Sequence, residues 1–248
     1  MQIKQFDIFG PFSSLLHAFS TRIGGVSRPP FHELNLGLHT ADNRKNVEQN
    51  RRLFFDRLKI SEQQVVFPEQ VHSDHIEVVS CGGVIPRCDG LITVQKNVFL
   101  SVQTADCFPV FIFDPKQEVV ALVHSGWRGT ARNICGKAVG MMKDQFGSRA
   151  EDLLAAIGPG VQQTCYQVDE ETAACFQDKY LIPDGIGHYK LDVQGCIVGQ
   201  LKEAGIPIAQ MEIDRACTHC ADHKYYSYRR DGQNSGRMMG IIGISEML

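Results

Sequence analysis

The sequence predicts a single α+β domain built on mixed β-sheets. Strand-like and helix-like segments are interleaved irregularly along the chain, which is typical of this fold class. The chain has 248 residues, of which 43% are hydrophobic and 21% charged, so it can bury a substantial core without disulfides. No Ser/Gly-rich linker or short repeat marks a boundary, and we therefore expect residues 1–248 to form one domain.

In the first half of the chain, a loop-rich segment precedes a helix and several short strands. Glycines and prolines punctuate residues 16–38, which predicts loops. Apolar side chains at helical spacing predict a helix over 46–58. Short apolar runs predict strands at 65–67, 76–79 and 98–103.

A β-hairpin is predicted in the middle of the chain. Strands at 110–113 and 119–123 flank an Asp-Pro-Lys-Gln turn. If the first and last turn residues face each other, Cys107 lies directly opposite His124, with Cβ atoms about 5 Å apart. A bulge, or an early end of pairing at Pro109, would shift this register, and the alternative is two unrelated residues at the hairpin ends.

A strand, a glycine-containing turn and a helix follow the hairpin. The helix is predicted from about 131 to 146, with Thr130 as its N-cap. Free backbone N–H groups at such a helix start can bind phosphate, although a plain capped turn explains the same residues. The remaining predicted elements are a strand at 153–157, helices at 169–180 and 191–204, and a strand at 240–244.

Charge and composition argue against several classes of protein. The chain has 25 Lys and Arg against 28 Asp and Glu, a net charge of -3, so no basic excess indicates nucleic-acid binding. The first residues lack the apolar run of a signal peptide, and no segment approaches the roughly 20 apolar residues of a membrane span. We expect a cytoplasmic protein, monomeric by default, whose nine cysteines are mostly reduced thiols.

Three residues in separate segments form a candidate site. His72, Cys107 and His124 supply two imidazoles and a thiolate, a good zinc ligand set with one coordination position left open. The same groups suit a Cys-His nucleophile and base pair. Copper is a second metal that such a set can bind, but no methionine lies near these motifs and the nine histidines include no His-x-His pair, which disfavours laccase chemistry.

Neighbouring polar residues are candidates for catalysis and substrate binding. Asp106 is a general acid/base or an orienting group beside Cys107. Arg51 and Arg128 are candidates for phosphate, because guanidinium groups match its oxygens, although Arg51 reads equally well as a solvated helix residue. Gln70 is a candidate for substrate binding, or it simply holds its loop.

The C-terminal region carries two further motifs. Cys217 and Cys220, with His219 between them and His223 beyond, resemble a metal knuckle, but no second Cys-x-x-Cys completes a four-ligand site, so a structural or incidental role is favoured. The aromatic and basic run at 225–230 is either a nucleoside-stacking platform or a strand with its apolar face in the core.

Taken together, the motifs resemble one family over nearly the whole chain. The family is the YfiH-type purine nucleoside phosphorylase family, also called the multicopper polyphenol oxidase or laccase-domain family, and it includes the peptidoglycan editing factor. The motifs that carry the resemblance are Ser20–Ser27, Asn35–Gly37, Asn50–Arg51, Gln70–His72, Cys88–Thr93, Thr104–Pro109, His124–Gly129, Ile157–Pro159, Cys165–Val168 and Ser227–Gly232.

The resemblance implies a fold, a metal site and an activity. The implied fold is a layered α/β/β/α arrangement, and the implied zinc ligands are His72, Cys107 and His124. The implied activities are phosphorolysis of adenosine, inosine and S-methyl-5′-thioadenosine to free base and ribose 1-phosphate, and deamination of adenosine. The expected partners are thus a purine nucleoside and phosphate.

Three alternatives remain open from the sequence. One is a Cys-His amide hydrolase that edits cell-wall precursors, with Cys107 as nucleophile and His124 as base. Another is a copper-dependent polyphenol oxidase. The third is a binding or regulatory module whose metal site is vestigial.

Overall fold

The computed structural model describes residues 1–246 and contains short strands interleaved with helices. In chain order the elements are β1 Ile3–Lys4, β2 Leu15–Ser20, α1 Arg44–Leu58, β3 Val65–Pro68, β4 Ile76–Val78, β5 Gly83–Ile85, β6 Gly90–Thr93, β7 Phe99–Thr104, β8 Phe108–Asp114, β9 Val119–Ser125, α2 Trp127–Ala131, α3 Ile134–Phe146, β10 Leu154–Ile157, β11 Gln167–Asp169, α4 Glu170–Ala173, β12 Leu181–Pro183, β13 His188–Leu191, α5 Val193–Glu203, β14 Met211–Ile213, α6 Tyr228–Asp231 and β15 Met238–Ile244.

Two six-stranded mixed sheets form the body of the molecule. The first sheet has the strand order β1-β2-β15-β7-β3-β5, and the second has the order β14-β10-β8-β9-β6-β4. Both contain parallel and antiparallel pairs. A small third sheet has the order β11-β13-β12. Every residue of β8, β9 and β15 is buried, which explains why these segments are almost continuously apolar in sequence.

The sheets and helices stack in four layers. Helix α1 packs Phe54 and Phe55 on the outer face of the first sheet. Between the two sheets lies a core that includes Phe19 and Phe111. On the far face of the second sheet, helices α3 and α5 cover a third core, to which Ile197 belongs. The expected α+β class and its α/β/β/α layering are therefore confirmed.

The β8–β9 hairpin forms as predicted, but its register is different. Asp114 pairs with Val119 rather than Gln117, so Pro109 and not Cys107 faces His124. The Asp114 carboxylate accepts backbone N–H bonds from the turn at 2.8 and 3.1 Å, and these bonds support a longer turn than predicted. Because the slip is an even number of residues, each side chain keeps its predicted face.

Two helix predictions also need correction. Thr130 lies inside α2, where its hydroxyl donates to the Gly126 carbonyl at 2.9 Å, and the predicted helix begins only at α3, whose N-cap is Asn133 and not Thr130. The helix predicted at 169–180 stops after α4. The chain then leads into β12 of the third sheet, and directly before that strand the Tyr180 carbonyl accepts the Asp192 N–H at 2.9 Å.

Residues 16–38, predicted as loops, include most of β2, which pairs with the buried C-terminal strand β15. Within residues 1–246, no helix combines the length and apolar composition needed to cross a membrane.

Candidate metal centre and its surroundings

The structure brings together the three residues that the sequence proposed as metal ligands. The ligand atoms of His72, Cys107 and His124 all lie within 4.8 Å of one another. The Cys107 Sγ is 4.0 Å from the His72 Nε2, and the two imidazole rings are nearly perpendicular, with centroids 4.9 Å apart. His124 is buried, Cys107 is partly buried and His72 is exposed, so the group opens to solvent on one side.

Each side chain arrives from a different part of the fold. Cys107 directly precedes β8, and His124 is the penultimate residue of β9. His72 lies in the loop after β3 with a φ of 58°, in the left-handed region. Gly126 makes room for this convergence, because a Cβ there would lie 2.9 Å from the Cys107 Sγ and 3.2 Å from the His72 ring.

A buried carboxylate that sequence reasoning did not select organises the group. Asp89 is fully buried, and its Oδ1 lies 2.8 Å from the His124 Nδ1. The same carboxylate accepts the backbone N–H of His72 at 3.0 Å and both the N–H and the hydroxyl of Ser73 at 2.7 Å. Asp89 therefore orients His124 and holds the loop that carries His72. The available signal was an Asp-Gly pair directly before an apolar strand.

These contacts shift the pKa values of the buried groups. Burial by itself opposes ionisation of Cys107, but His124 and His72 outweigh it and lower the pKa of the thiol to about 6. Burial also opposes charging of His124, but Cys107 and Asp89 raise its pKa to about 9. For Asp89, the bonds and charge of His124 and the bonds of Ser73 overcome burial and hold the pKa at about 2. When no metal is bound, both shifts favour a thiolate on Cys107 beside an imidazolium on His124.

The arrangement fits a tetrahedral metal ion. Because the Nδ1 of His124 is occupied by Asp89, its Nε2 is left for the ion, as is usual where a carboxylate supports a histidine ligand. Ligand atoms about 2.0–2.3 Å from zinc lie roughly 3.3–3.8 Å from each other, and the observed separations need only a small closure to reach this. The exposed side leaves a fourth position for water or substrate.

The proposed catalytic residue Asp106 lies at the rim of the group. It directly precedes Cys107, is buried, and has a φ of 90°. Its carboxylate accepts the Thr218 hydroxyl at 2.7 Å and the Arg229 backbone N–H at 2.6 Å. These bonds suit the orienting alternative for Asp106, since both oxygens tie neighbouring segments to residues 105–107 between β7 and β8, the Cys107 turn.

Two proposed substrate-binding residues are engaged in structural contacts. The Gln70 amide exchanges two hydrogen bonds, of 2.7 and 2.8 Å, with the backbone of Gln103 on β7. Arg51 is only 5% exposed, so the alternative of a solvated helix residue is wrong. Its Nε donates to the Leu36 carbonyl at 2.9 Å, and its guanidinium lies 4.8 Å from the centroid of the Phe67 ring. Burial lowers the pKa of Arg51 to about 10.

Pairs of an arginine and an aromatic ring occur around the Cys107 turn. Arg128 lies over Trp127 at 4.3 Å, and Arg229 lies over Tyr166 at 5.0 Å. Burial raises the pKa of Tyr166, and the charge of Cys107 adds to this while Arg229 and Arg128 oppose it, which places all of them in one neighbourhood. A small cavity of about 30 Å³ between Cys107, Trp127 and Tyr166 has room for water.

The aromatic and basic run at 225–230 divides between the two predicted roles. Tyr225 and Tyr226 are fully buried, as the core interpretation predicts. Tyr228 and Arg229 are exposed, and Arg237 lies 5.6 Å from the centroid of the Tyr228 ring. Only the second half of the run is therefore available to a ligand.

A second group of possible metal ligands consists of Cys165, Cys217 and Cys220, whose sulfur atoms also lie within 4.8 Å of one another. The sequence proposed Cys217 and Cys220 as half of a metal knuckle. Sequence reasoning did not assign Cys165 to it, because 52 residues separate the two segments. The other proposed members, His219 and His223, are not part of this group.

Fold and site together define the class of protein: a single α+β domain of layered mixed sheets, with an open His₂Cys site supported by a buried carboxylate. Residues 16–245 match the sequence profile of a family described as multi-copper polyphenol oxidoreductase laccase. The chain belongs to this family, which includes the YfiH and YlmD purine nucleoside phosphorylase group of enzymes.

Individual relatives agree with this assignment. The purine nucleoside phosphorylase YlmD of Bacillus subtilis is 32% identical, over 94% of this chain and 89% of its own length. A purine nucleoside phosphorylase of Deinococcus radiodurans is 34% identical, over 94% of this chain and 91% of that protein. The crystal structure of the hypothetical protein YfiH of Bacillus licheniformis superposes with a TM-score of 0.94 at 34% identity, covering 98% of this chain and 96% of that one.

Replacement of Asp89 by asparagine is expected to weaken zinc binding about 10- to 100-fold, the usual cost of losing a carboxylate that supports a histidine ligand. Competition with a chromophoric chelator measures this affinity. Asp74→Asn is the matched control, because Asp74 belongs to the same loop but pairs with Lys137 and Arg132 instead. Equal affinities in the two variants would contradict the role assigned to Asp89.

Alkylation of Cys107 in metal-free protein is expected to follow a pKa of about 6. Because the thiolate is the nucleophile, the rate should be near its maximum at pH 7.5 and fall roughly tenfold per pH unit well below 6. Mass spectrometry of the Cys107 peptide after iodoacetamide pulses gives the profile. His124→Gln should move the midpoint upward, and an unchanged midpoint would argue against the thiolate–imidazolium pair.

Proposed function

We propose that this protein is a zinc-dependent purine nucleoside phosphorylase. It takes adenosine, inosine or S-methyl-5′-thioadenosine together with phosphate and releases free base and ribose 1-phosphate. The observation that carries the proposal is an open His₂Cys group lying beside arginine–aromatic pairs. Similarity to the purine nucleoside phosphorylases of Bacillus subtilis and Deinococcus radiodurans supports the proposal, because each match covers most of this chain and most of the relative.

The residues of the site divide into a metal side and a substrate side. His72, Cys107 and His124 would hold zinc, which when bound supplies a Lewis acid and lowers the pKa of a coordinated water. Asp89 keeps the His124 Nδ1 occupied, so the ring presents its other nitrogen to the site. The group of three ligands opens to solvent at His72, so a substrate can approach the ion from that side.

On the substrate side, arginines near the Cys107 turn supply charge for phosphate. Arg128 is exposed on α2, and the backbone N–H of Arg229 donates to the Asp106 carboxylate. Guanidinium groups match phosphate oxygens in pairs, and their charge favours the dianion. Stacking on Trp127 and Tyr166 restricts both guanidinium groups and reduces the entropy lost on binding.

In the reaction, a phosphate oxygen forms a bond to C1′ while the bond from C1′ to the purine nitrogen breaks. The purine leaves with the electron pair and takes up a proton. The part of this chain is to hold phosphate near C1′ and to fix the ribose, since positioning supplies much of the rate in such displacements. The rings of Trp127 and Tyr166 line the cavity beside Cys107 and are flat apolar surfaces suited to the nucleoside.

Deamination of adenosine is a second activity that the same ligand set suits. Water replaces the amino group at C6, and an activated water is the reagent it needs. The open side of the group next to the exposed His72 offers the space for this water.

A Cys-His amide hydrolase is the competing function, and the lowered pKa of Cys107 beside His124 favours it. Its nucleophile would be the Cys107 thiolate, whose proton His124 has already accepted, and the imidazolium could pass that proton to the leaving amine. Copper-dependent polyphenol oxidation is less well supported. Within residues 1–246, possible metal ligands gather at two places with three residues at each, and these are few ligands for an enzyme that holds several copper ions.

Zinc-loaded protein is expected to release free base from inosine or adenosine only when phosphate is present. Chromatography for base and ribose 1-phosphate measures the reaction. Chelator and the Cys107→Ser substitution should each abolish it. Turnover of an amide-bearing cell-wall precursor that survives chelator but not thiol alkylation would instead establish the hydrolase.

Arg128→Gln is expected to raise the KM for phosphate about tenfold. A hydrogen bond to a charged group contributes roughly 1.5–3 kcal/mol, and the exposure of Arg128 places it at the lower end. Arg132→Gln is the matched control, because Arg132 directly follows α2 and points to Asp74, with 3.7 Å between the charged atoms. Steady-state rates against phosphate concentration separate the two. An equal effect in both variants would contradict a phosphate role for Arg128.

A further inference from the structure

A three-cysteine cluster lies apart from the His₂Cys group. Cys165 ends a short 3-10 turn, while Cys217 and Cys220 come from the loop after β14. The Sγ atoms of Cys165 and Cys220 are 3.3 Å apart, and all three sulfurs lie within 4.8 Å of one another. Cys165 and Cys217 are partly buried and Cys220 is exposed, so the cluster has one face toward solvent.

The spacing of the sulfurs suits a shared cation. Thiolates bound tetrahedrally at about 2.3 Å from zinc lie roughly 3.8 Å apart, which falls within the observed separations. A disulfide needs its sulfurs at about 2.0 Å and leaves a third thiol without a partner. A set of three thiolates also selects soft metals over calcium or magnesium.

A backbone N–H group bonds to the Cys217 sulfur, as occurs in metal knuckles. The Gln162 N–H donates to the Cys217 Sγ at 3.4 Å. Such bonds compensate the negative charge that remains on a metal-bound thiolate. The three-residue step from Cys217 to Cys220 lets one loop supply two ligands to one ion.

The cluster joins segments that border the His₂Cys group. Gly160 and Cys217 form a parallel β-bridge, and the neighbouring Thr218 hydroxyl donates to Asp106 at 2.7 Å. Tyr166, directly after Cys165, lines the cavity beside Cys107. An ion bound by these cysteines would therefore brace the two segments that position Asp106 and Tyr166.

We propose that Cys165, Cys217 and Cys220 form a second, structural metal site that binds Zn²⁺ through three thiolates, with a fourth position open to solvent. Each thiol releases its proton as it binds the ion. The site lies outside the group used in the proposed function and does not depend on that function. Its role is to hold the loop after β14 against the 3-10 turn.

Metal content in a Cys107→Ser background tests the proposal, because this substitution removes a ligand of the first site and is expected to abolish the proposed activity. Reduced protein is loaded with Zn²⁺, passed over a desalting column and analysed by mass spectrometry for bound metal. We expect one equivalent in Cys107→Ser and none in Cys107→Ser/Cys220→Ser. Cys107→Ser/Cys175→Ser is the matched control and should retain one equivalent, since Cys175 is an exposed cysteine outside the cluster.

Two further readouts keep the test decisive if a variant is unstable. Co²⁺ should give thiolate charge-transfer absorption in Cys107→Ser that is lost in the Cys220→Ser double variant. Zn²⁺ should raise the melting temperature of Cys107→Ser but not of that double variant. Absence of bound zinc in reduced Cys107→Ser, or a Cys165–Cys220 disulfide found by mass spectrometry of protein purified without oxidant, would overturn the proposal.

Discussion

The buried carboxylate of Asp89 is the group on which the whole site depends. Asp89 directly precedes β6, which pairs with β9, and its backbone carbonyl also accepts the His124 N–H at 2.7 Å. One oxygen orients the imidazole, and both oxygens accept bonds from the loop that carries His72. A buried charge is stable only when hydrogen bonds and opposite charges compensate it. The groups that compensate Asp89 are the same groups that it holds in place at the site.

The two-sheet architecture explains why the site lies where it does. His124 lies on β9 of the central hairpin of the second sheet, and Cys107 directly precedes the other strand, β8; both strands are buried on both faces. His72 comes from a loop that follows β3 of the first sheet and crosses to the second, where Asp89 holds it. Both cores pack against these strands, so the site combines one ligand on a buried strand, one in the turn directly before a buried strand and one on a hydrogen-bonded loop.

The charges of the site and its opening to solvent both suit the binding of a metal ion at this edge of the two sheets. The thiolate and the imidazolium stabilise one another, and a metal ion that replaces the imidazolium proton meets ligands that are already ionised or correctly oriented. Aromatic rings next to arginines extend from the Cys107 turn to α6. Asp106 ties this surface to the turn through Thr218 and the Arg229 backbone, which links the proposed substrate side to the metal side.

The sequence by itself determined the fold class and seven of the fifteen strands within residues 1–246, because apolar periodicity is a local property. It also identified the three residues of the His₂Cys group, through their ligand chemistry and the family motifs in which they lie. It did not determine the hairpin register, since the carboxylate of Asp114 supports a longer turn than the residue pattern suggested. Nor did it reveal the role of Asp89 or the contact of Cys165 with Cys220, which lie 35 and 55 residues from their partners. Such contacts depend on how strands pair and how sheets pack, and only the tertiary structure decides them.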